Sequence, residues 1–245
     1  MEVEAINKIE DLVRSGLTVR VDDQEYSAGR LAPVIHDPRP DTLVVHNLRG
    51  FCGFINNDID GMIDGRPHLI VVNSPGSADL ISSADGKKME RTKLVSAKIA
   101  DGLKTFPFGS FMSQEEFAIK FRSLFVKKDK DDFDYVLEYA SKLTGGTQID
   151  GDDDGITQRV SVKRGVSGHL TEKASLKSIV RLSPYRTFRE VTQPESEFVF
   201  RVRIGNDDVP QVALFEADGG AWINDATESI VQYIQSLVAE IPVIA

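Results

Sequence analysis

Two loops rich in aspartate carry the residue types and the spacing that a calcium site needs. In the first loop, oxygen ligands stand at loop positions 1, 3, 5 and 9: Asn56, Asp58, Asp60 and Asp64. Gly61 follows at position 6, where a twelve-residue calcium loop requires a sharp bend. Position 12 needs a bidentate glutamate but holds Pro67. A turn between a helix and a strand is therefore the preferred interpretation, with calcium as the alternative.

The second loop repeats this pattern less completely. Asp150, Asp152 and Asp154 stand at positions 1, 3 and 5, and Ser161 occupies position 12. The loop separates two predicted strands, where aspartate and glycine are favoured simply because they form turns. Calcium is again the alternative, and a metal-dependent enzyme that uses these acidic loops stays open as a functional hypothesis.

Cys52 and His46 are the residue types of a thiol nucleophile and its base. Cys52, however, lies on the apolar face of a predicted helix, where a buried and inert thiol is the commoner case. The four histidines are too far apart in sequence for a zinc motif. The sequence also holds no nucleophile elbow, phosphate loop or dinucleotide fingerprint. We therefore expect no catalytic residues and no cofactor.

Arginines alternate with aromatic residues between residues 184 and 203. The candidates for a nucleic-acid or partner surface are Tyr185, Arg186, Arg189, Arg201 and Arg203. Such residues can stack on bases. Packing on one face and solvation on the other is the competing interpretation, because an antiparallel strand alternates in this way.

The elements that must position these residues follow from hydrophobic periodicity and from turn residues. Helices are predicted at 3–15, 48–59, 113–125, 132–143 and 225–240, the third of them opened by a capping box from Ser113 to Glu116. Strands are predicted at 17–26 (a hairpin), 42–46, 68–73, 79–82 and 91–99, and again at 147–150, 156–163, 174–183, 197–204 and 210–217.

Helices and strands are segregated along the chain, which favours an α+β fold. We predict a mixed N-terminal sheet with helices and an antiparallel, β-rich C-terminal half closed by a C-terminal helix. A charged run at 126–134 suggests a boundary between an N-terminal half, 1–126, and a C-terminal half, 127–245. We expect these halves to be one interlocked unit.

Composition limits the function classes. The 245 residues include 29 Lys and Arg against 38 Asp and Glu, so the net charge is −9. This acidity argues against a surface that binds nucleic acid everywhere, although a local basic patch stays possible. No apolar run reaches the roughly 20 residues of a membrane helix. The acidic first residues do not match a secretory signal, and a single cysteine fits a reducing cytoplasm.

Several segments carry a resemblance to a known family: 182–191 (LSPYRTFREV), 193–196, 198–201, 45–48 (VHNL), 113–124 (SQEEFAIKFRSL) and 214–222 (LFEADGGAW). They resemble the YfdQ-like family of phage and prophage proteins. The resemblance implies a phage-encoded protein that acts in the cytoplasm of a bacterial host. It supplies no catalytic residues.

Three functional hypotheses remain, in this order. The first is a non-enzymatic accessory or self-assembling structural protein, a homo-oligomer whose other partners are phage or host proteins. The second is a module that sequesters or modulates a host factor or nucleic acid through the arginine and aromatic residues of 184–203. The third is the metal-dependent enzyme. No membrane partner is expected.

Overall fold

The computed structural model describes residues 2–22, 24–27, 40–84, 89–102, 104–143, 148–149, 159–163, 171–205 and 209–245. The chain divides into two compact units, Met1–Asp41 and Thr42–Ala245. The boundary suggested by the charged run falls inside the second unit, directly after a strand at Phe125–Val126. No helix in the described ranges is both long and apolar enough to cross a membrane.

The first unit holds the predicted helix and hairpin. Helix α1 spans Glu2–Leu17, and strands β1 (Thr18–Val21) and β2 (Gln24–Ser27) form an antiparallel pair. Asp22 adopts a positive φ of 55° in the turn, which aspartate tolerates better than most residues. The local signals of periodicity and turn formation therefore suffice to predict this helix and this hairpin.

The second unit contains the remaining helices and strands. The helices are α2 (Leu48–Asn56), α3 (Gln114–Leu124), α4 (Phe133–Lys142) and α5 (Trp222–Leu237). The strands are β3 (Leu43–Val45), β4 (His68–Ser74), β5 (Ser77–Ser82), β6 (Lys93–Lys98), β7 (Met112–Ser113), β8 (Phe125–Val126), β9 (Gln148–Ile149), β10 (Arg159–Lys163), β11 (Thr171–Ser175), β12 (Ile179–Pro184), β13 (Ser196–Ile204), β14 (Pro210–Glu216) and β15 (Val243–Ile244). The fold is α+β.

The mixed sheet has the strand order β15-β4-β5-β6-β3. Strands β15 and β3 pair in parallel with their neighbours, and the other pairs are antiparallel. Strands β3 and β4, which flank α2 in sequence, are therefore not neighbours, because β5 and β6 lie between them. Sequence analysis missed β15, whose two residues are too few to show a period.

Helices α2 and α5 supply much of the core of the mixed sheet. Phe51 and Leu48 from α2 and Ile230 and Ile234 from α5 are fully buried there. Helix α5 begins three residues before its predicted start and ends at Leu237. Leu237 at the end of the helix is 44% exposed, whereas Val238, the extended residue that follows it, is buried in this core.

The antiparallel sheet has the order β7-β14-β13-β12-β8, and its core lies beside α3 and α4. Seven phenylalanines build this core: Phe106, Phe117, Phe121, Phe125, Phe133, Phe198 and Phe200. Helix α3 starts as predicted, with the Ser113 hydroxyl accepting from the N–H of Glu116. In the predicted capping box, the Glu116 carboxylate accepts from the backbone N–H of Ser113. In the structure it forms an ion pair with Lys120, one turn further along the helix.

One predicted strand needs correction. The strand expected at 174–183 is divided between β11 and β12, which belong to different sheets. The C-terminal helix follows the antiparallel strands as expected, but its buried side chains lie in the core of the mixed sheet. The antiparallel sheet in turn takes β7 and β8 from residues before 127. Each half of the chain therefore contributes elements to the sheet or the core of the other half.

Candidate functional site

The connection between β12 and β13, residues 185–195, joins the two cores of the second unit. We call it the bridging loop. It leaves the antiparallel sheet, and its side chains Phe188 and Val191 are buried in the core of the mixed sheet. The loop lies within the segment that the sequence singles out for its arginines and aromatic residues.

The buried amide of Gln193 holds the bridging loop in shape. Its oxygen accepts hydrogen bonds from the backbone N–H groups of Arg186 and Thr187, at 3.0 and 3.2 Å. Its nitrogen donates to the carbonyl oxygens of Phe188 and Val191. A buried amide that satisfies both ends in this way fixes one backbone conformation.

Two side chains attach the loop to the mixed sheet and its helix. The Thr187 hydroxyl donates to the carbonyl of Pro75 at 2.6 Å. The Glu190 carboxylate accepts from the backbone N–H groups of Leu48 and Arg49, at 2.9 and 3.4 Å. These N–H groups open α2 and have no acceptor inside the helix, and a negative charge at this end is favourable.

Arg186 is the centre of the site, and its side chain is only 6% exposed. The guanidinium carbon lies 4.8 Å from the ring centre of Phe108, 5.0 Å from Phe198 and 4.6 Å from Trp222. A guanidinium over aromatic faces is attracted by their negative potential, most strongly where water is excluded. Arg186 therefore links the bridging loop to β13 and to the first residue of α5.

Acidic residues compensate the buried charge incompletely. Nη2 of Arg186 lies 3.1 Å from Oε1 of Glu216, and Nη1 donates a long hydrogen bond to Ser196. Among the described residues, Nε and Nη2 have no well-aligned hydrogen-bond acceptor. Burial lowers the pKa of Arg186, and the charges of Glu216 and Asp218 oppose that shift. The positive charge of Arg186 is thus stabilised by the aromatic rings and by the nearby carboxylates together.

Arg186 corrects one expectation, because a buried guanidinium belongs to the interior rather than to a binding surface. Its predicted companions lie elsewhere. Arg189 is exposed and stacks on half-buried Tyr185, with 3.3 Å between the guanidinium carbon and the ring centre. Arg203 is exposed on β13 and lies 4.1 Å from the ring centre of Phe111. Arg201 is half-buried on the same strand. A nucleic-acid or partner surface at these four residues stays a prediction.

The first aspartate-rich loop is the turn between α2 and β4. Asp58, at a positive φ of 40°, accepts hydrogen bonds from the backbone N–H groups of Met62, Ile63 and Asp64. Desolvation raises the pKa of Asp58, but these three bonds together bring it below its ordinary value. The carboxylate therefore organises the turn.

Where the structure describes them, the other candidate calcium ligands do not join Asp58 in a metal site. Asn56 donates to the carbonyl of Leu237, which ties α2 to the end of α5. Asp60 and Asp64 are exposed. Asp150, Asp152 and Asp154 lie outside the described residues. Within the part of the chain that is described, no three His, Cys, Asp or Glu residues are grouped so as to hold a metal ion.

Cys52 and His46 have different surroundings. Cys52 is 2% exposed in the core of the mixed sheet, and burial, with a smaller contribution from Glu190, raises the pKa of its thiol to about 11. His46 is exposed, and its Nδ1 lies 3.1 Å from the carbonyl oxygen of Lys98. A thiol held in its neutral form is a poor nucleophile.

Sequence reasoning missed most partners of Arg186. The mixture of arginine and aromatic residues points to this segment, but as a surface rather than as a buried cluster around Arg186. Phe108, Glu216, Asp218 and Trp222 come from other elements, however, and no local pattern connects them to residue 186.

The fold and the site together define an α+β protein in which a buried arginine–aromatic cluster and a bridging loop join two sheets. No family model, no curated protein and no solved structure matches the chain.

Proposed function

We propose that the protein is a non-enzymatic accessory or structural protein that assembles into a homo-oligomer. The observation that carries this proposal is the exposed apolar face of α1. Val3, Ile6, Ile9 and Val13 recur at helical spacing along the helix and are between 57% and 70% exposed. Burying such an apolar face against another surface removes it from water and stabilises the helix.

The described residues of the first unit offer little apolar surface for this purpose outside α1. Besides α1, its described residues form a single two-stranded hairpin. An isolated hairpin is marginal in water, and an isolated helix of 16 residues is scarcely better. A second copy supplies an identical face, so two copies of α1 can bury their apolar stripes against each other in a symmetric contact.

Two of the residues first considered for chemistry, Asp58 and Cys52, are held in contacts that stabilise the fold. This supports a non-enzymatic function. The Asp58 carboxylate is engaged by three backbone N–H groups, and the Cys52 thiol is buried and neutral. The resemblance of 182–201 and 214–222 to YfdQ-like proteins supports a phage-encoded protein. We therefore place the oligomer in the cytoplasm of an infected bacterium, with phage or host proteins as further partners.

The test is the mass of the purified protein by light scattering and native mass spectrometry. We expect a multiple of 27.1 kDa. Ile9→Asp places a charge in the proposed contact and should raise the dissociation constant at least about tenfold. Ile119→Asp on α3 is the matched control, since Ile119 is 63% exposed against 62% for Ile9. A wild-type protein that stays at 27.1 kDa at all concentrations contradicts the proposal.

A second function, binding of nucleic acid or a host factor, has one observation in its favour. The guanidinium of exposed Arg203 lies against Phe111, which in turn packs edge-on against Phe215. Arginine held on aromatic rings can stack on bases. Binding of a single-stranded oligonucleotide that weakens with salt and is lost in Arg203→Ala, but not in the exposed control Arg122→Ala, would support it. No binding at low ionic strength counts against it.

A further inference from the structure

The mixed sheet ends on one side at β3, a strand with two exposed apolar side chains. Leu43 and Val44 are each 46% exposed. Strand β3 pairs with β6 along one edge, and among the described residues no strand pairs with its other edge. We propose that β3 pairs in antiparallel fashion with β3 of a second copy, centred on Val44, so that two mixed sheets become one continuous sheet. This inference rests on the homo-oligomer proposed above.

An open edge matters because its backbone N–H and C=O groups invite another strand. The antiparallel sheet covers such positions. On β12, the backbone N–H of Asp132 donates to the carbonyl of Arg181, and the Asp132 carboxylate accepts from the N–H of Arg181. On β14, the N–H of Gly109 donates to the carbonyl of Leu214. The protein thus blocks backbone groups at the margins of one sheet.

The residues of β3 and its flanks carry none of the usual safeguards of an edge strand. Lysine, proline and inward-pointing charges are the common devices that prevent edge-to-edge pairing. Residues 41–47 read DTLVVHN, without a lysine or a proline, and the nearest proline, Pro40, lies three residues before β3 and outside the paired segment. The two exposed side chains of β3 are leucine and valine, which favour strand pairing.

The segment is compatible with itself in an antiparallel register about Val44. The opposed residues would be Val44 and Val44, Leu43 and Val45, Thr42 and His46, and Asp41 and Asn47. No two like charges meet in this register. The Asn47 oxygen already accepts from the N–H of Gly50, so its amide nitrogen is the group that faces the carboxylate of Asp41 from the second copy as a donor. A contact of this kind is isologous and joins two copies, in addition to the contact proposed for α1.

Two substitutions on opposite edges of the same sheet test the interface by mass. Val44→Lys puts a charge at the centre of the proposed pairing and should halve the mass of the oligomer. Ile244→Lys is the matched control, because Ile244 lies on the opposite edge strand, β15, and is 49% exposed. We expect that variant to keep the wild-type mass. Circular dichroism and thermal unfolding check that both variants fold.

A cross-link tests the register without introducing a charge. Opposed residues of an antiparallel pair have Cα atoms about 4.5–5.5 Å apart, which is within the range that a disulfide spans. In a Cys52→Ala background, Val44→Cys should therefore form a disulfide with itself on mild oxidation. The product should run at twice the chain mass on a non-reducing gel. Ile244→Cys in the same background should stay at the mass of one chain.

The outcomes separate this inference from the proposed function. A halved mass for Val44→Lys together with the Val44→Cys cross-link supports the β3 interface. If Val44→Lys keeps the wild-type mass and Val44→Cys forms no cross-linked dimer, the β3 interface is overturned and the homo-oligomer still stands. Disruption by Ile244→Lys alone also overturns it and points to the β15 edge. A wild-type protein that is a monomer at all concentrations overturns both.

Discussion

The Glu190 carboxylate accepts a hydrogen bond from the backbone N–H of Leu48 at 2.9 Å, although the two residues are 142 positions apart. The bond joins the bridging loop to the first turn of α2. It places a negative charge where the helix presents its unpaired N–H groups. A residue of the bridging loop thus caps the N-terminus of α2, a helix that packs on the mixed sheet. The stability of the second unit therefore depends on contacts between segments that are distant in sequence.

Glu190→Ala should destabilise the second unit, because two N–H groups at the start of α2 lose their acceptor. The expected loss is about 1 kcal/mol in the free energy of unfolding, the usual cost of a lost helix cap. Urea denaturation followed by circular dichroism measures it. Glu195→Ala, at an exposed glutamate of the same loop, should change the midpoint little. Equal effects of the two substitutions would contradict a capping role for Glu190.

Thr187→Val keeps the shape of a buried side chain but removes the hydroxyl that donates to Pro75. The carbonyl of Pro75 then loses that donor, at an expected cost of about 1–3 kcal/mol. Thermal or urea unfolding gives the difference. Thr227→Val is the control, since its hydroxyl donates to a carbonyl within the exposed part of α5. An unchanged stability for Thr187→Val would show that the bond to Pro75 contributes nothing net.

Arg186→Ala should destabilise the protein strongly, because it empties a site lined by three aromatic rings and leaves Glu216 without its partner. We expect a loss of about 2 kcal/mol, because the cation–π contacts of Arg186 are shielded from water, whereas Glu216 is 47% exposed and stays hydrated. Arg203→Ala, whose cation–π contact is exposed, should cost less than about 1 kcal/mol.

Fluorescence gives a local readout for the same pair of variants. Trp222 is the single tryptophan of the chain and lies 4.6 Å from the Arg186 guanidinium carbon. Its emission in the folded protein should shift in Arg186→Ala and stay at the wild-type wavelength in Arg203→Ala. An unshifted emission in Arg186→Ala would contradict the described cluster.

Asp79 should make stability depend on acid pH. Burial raises the pKa of this carboxyl, but the ion pair with Lys93 at 2.6 Å and the hydrogen bond from Asn73 bring it below its ordinary value. Because the folded pKa is the lower one, the carboxylate stabilises the fold above the unfolded value of about 3.9. That contribution is lost as pH falls from there through the folded pKa.

The measurement is urea denaturation between pH 7 and pH 3 for the wild type and Asp79→Asn. We expect the variant to be less stable at pH 7 and to lose less stability on acidification than the wild type. Asp60→Asn, at an exposed carboxylate of the α2–β4 turn, is the control and should be as stable as the wild type at pH 7. Parallel pH profiles for the wild type and Asp79→Asn would exclude Asp79 as a source of the acid dependence.

Cys52 should react slowly with thiol reagents in the folded protein. Its raised pKa of about 11 leaves little thiolate at pH 8, and its side chain is 2% exposed. The rate of modification by an aromatic disulfide reagent should be at least about 100-fold lower than in urea. A fast reaction of the native protein would reopen the hypothesis of a thiol nucleophile.

Local patterns in the sequence determined most helices and strands. The spacing of Phe117 and Phe121 predicts the buried face of α3, and Ser113 predicts where that helix begins. The alternation from Phe198 to Ile204 predicts which side of β13 is buried. These signals act over two to four residues, the range across which helical and strand periods operate. They are therefore readable without any knowledge of the rest of the fold.

The tertiary structure alone decided how these elements pair and what Arg186 contacts. Sheet register brings Phe198 and Glu216 onto adjacent strands, and α5 adds Trp222. Strand β15 is equally invisible in the sequence, because its two residues become a strand only by pairing with β4. The amino-acid sequence alone determined most of the helical and extended segments and that the fold is α+β. Burial of the arginine depended on three-dimensional neighbours, since only they exclude water and supply the rings and carboxylates that hold its charge.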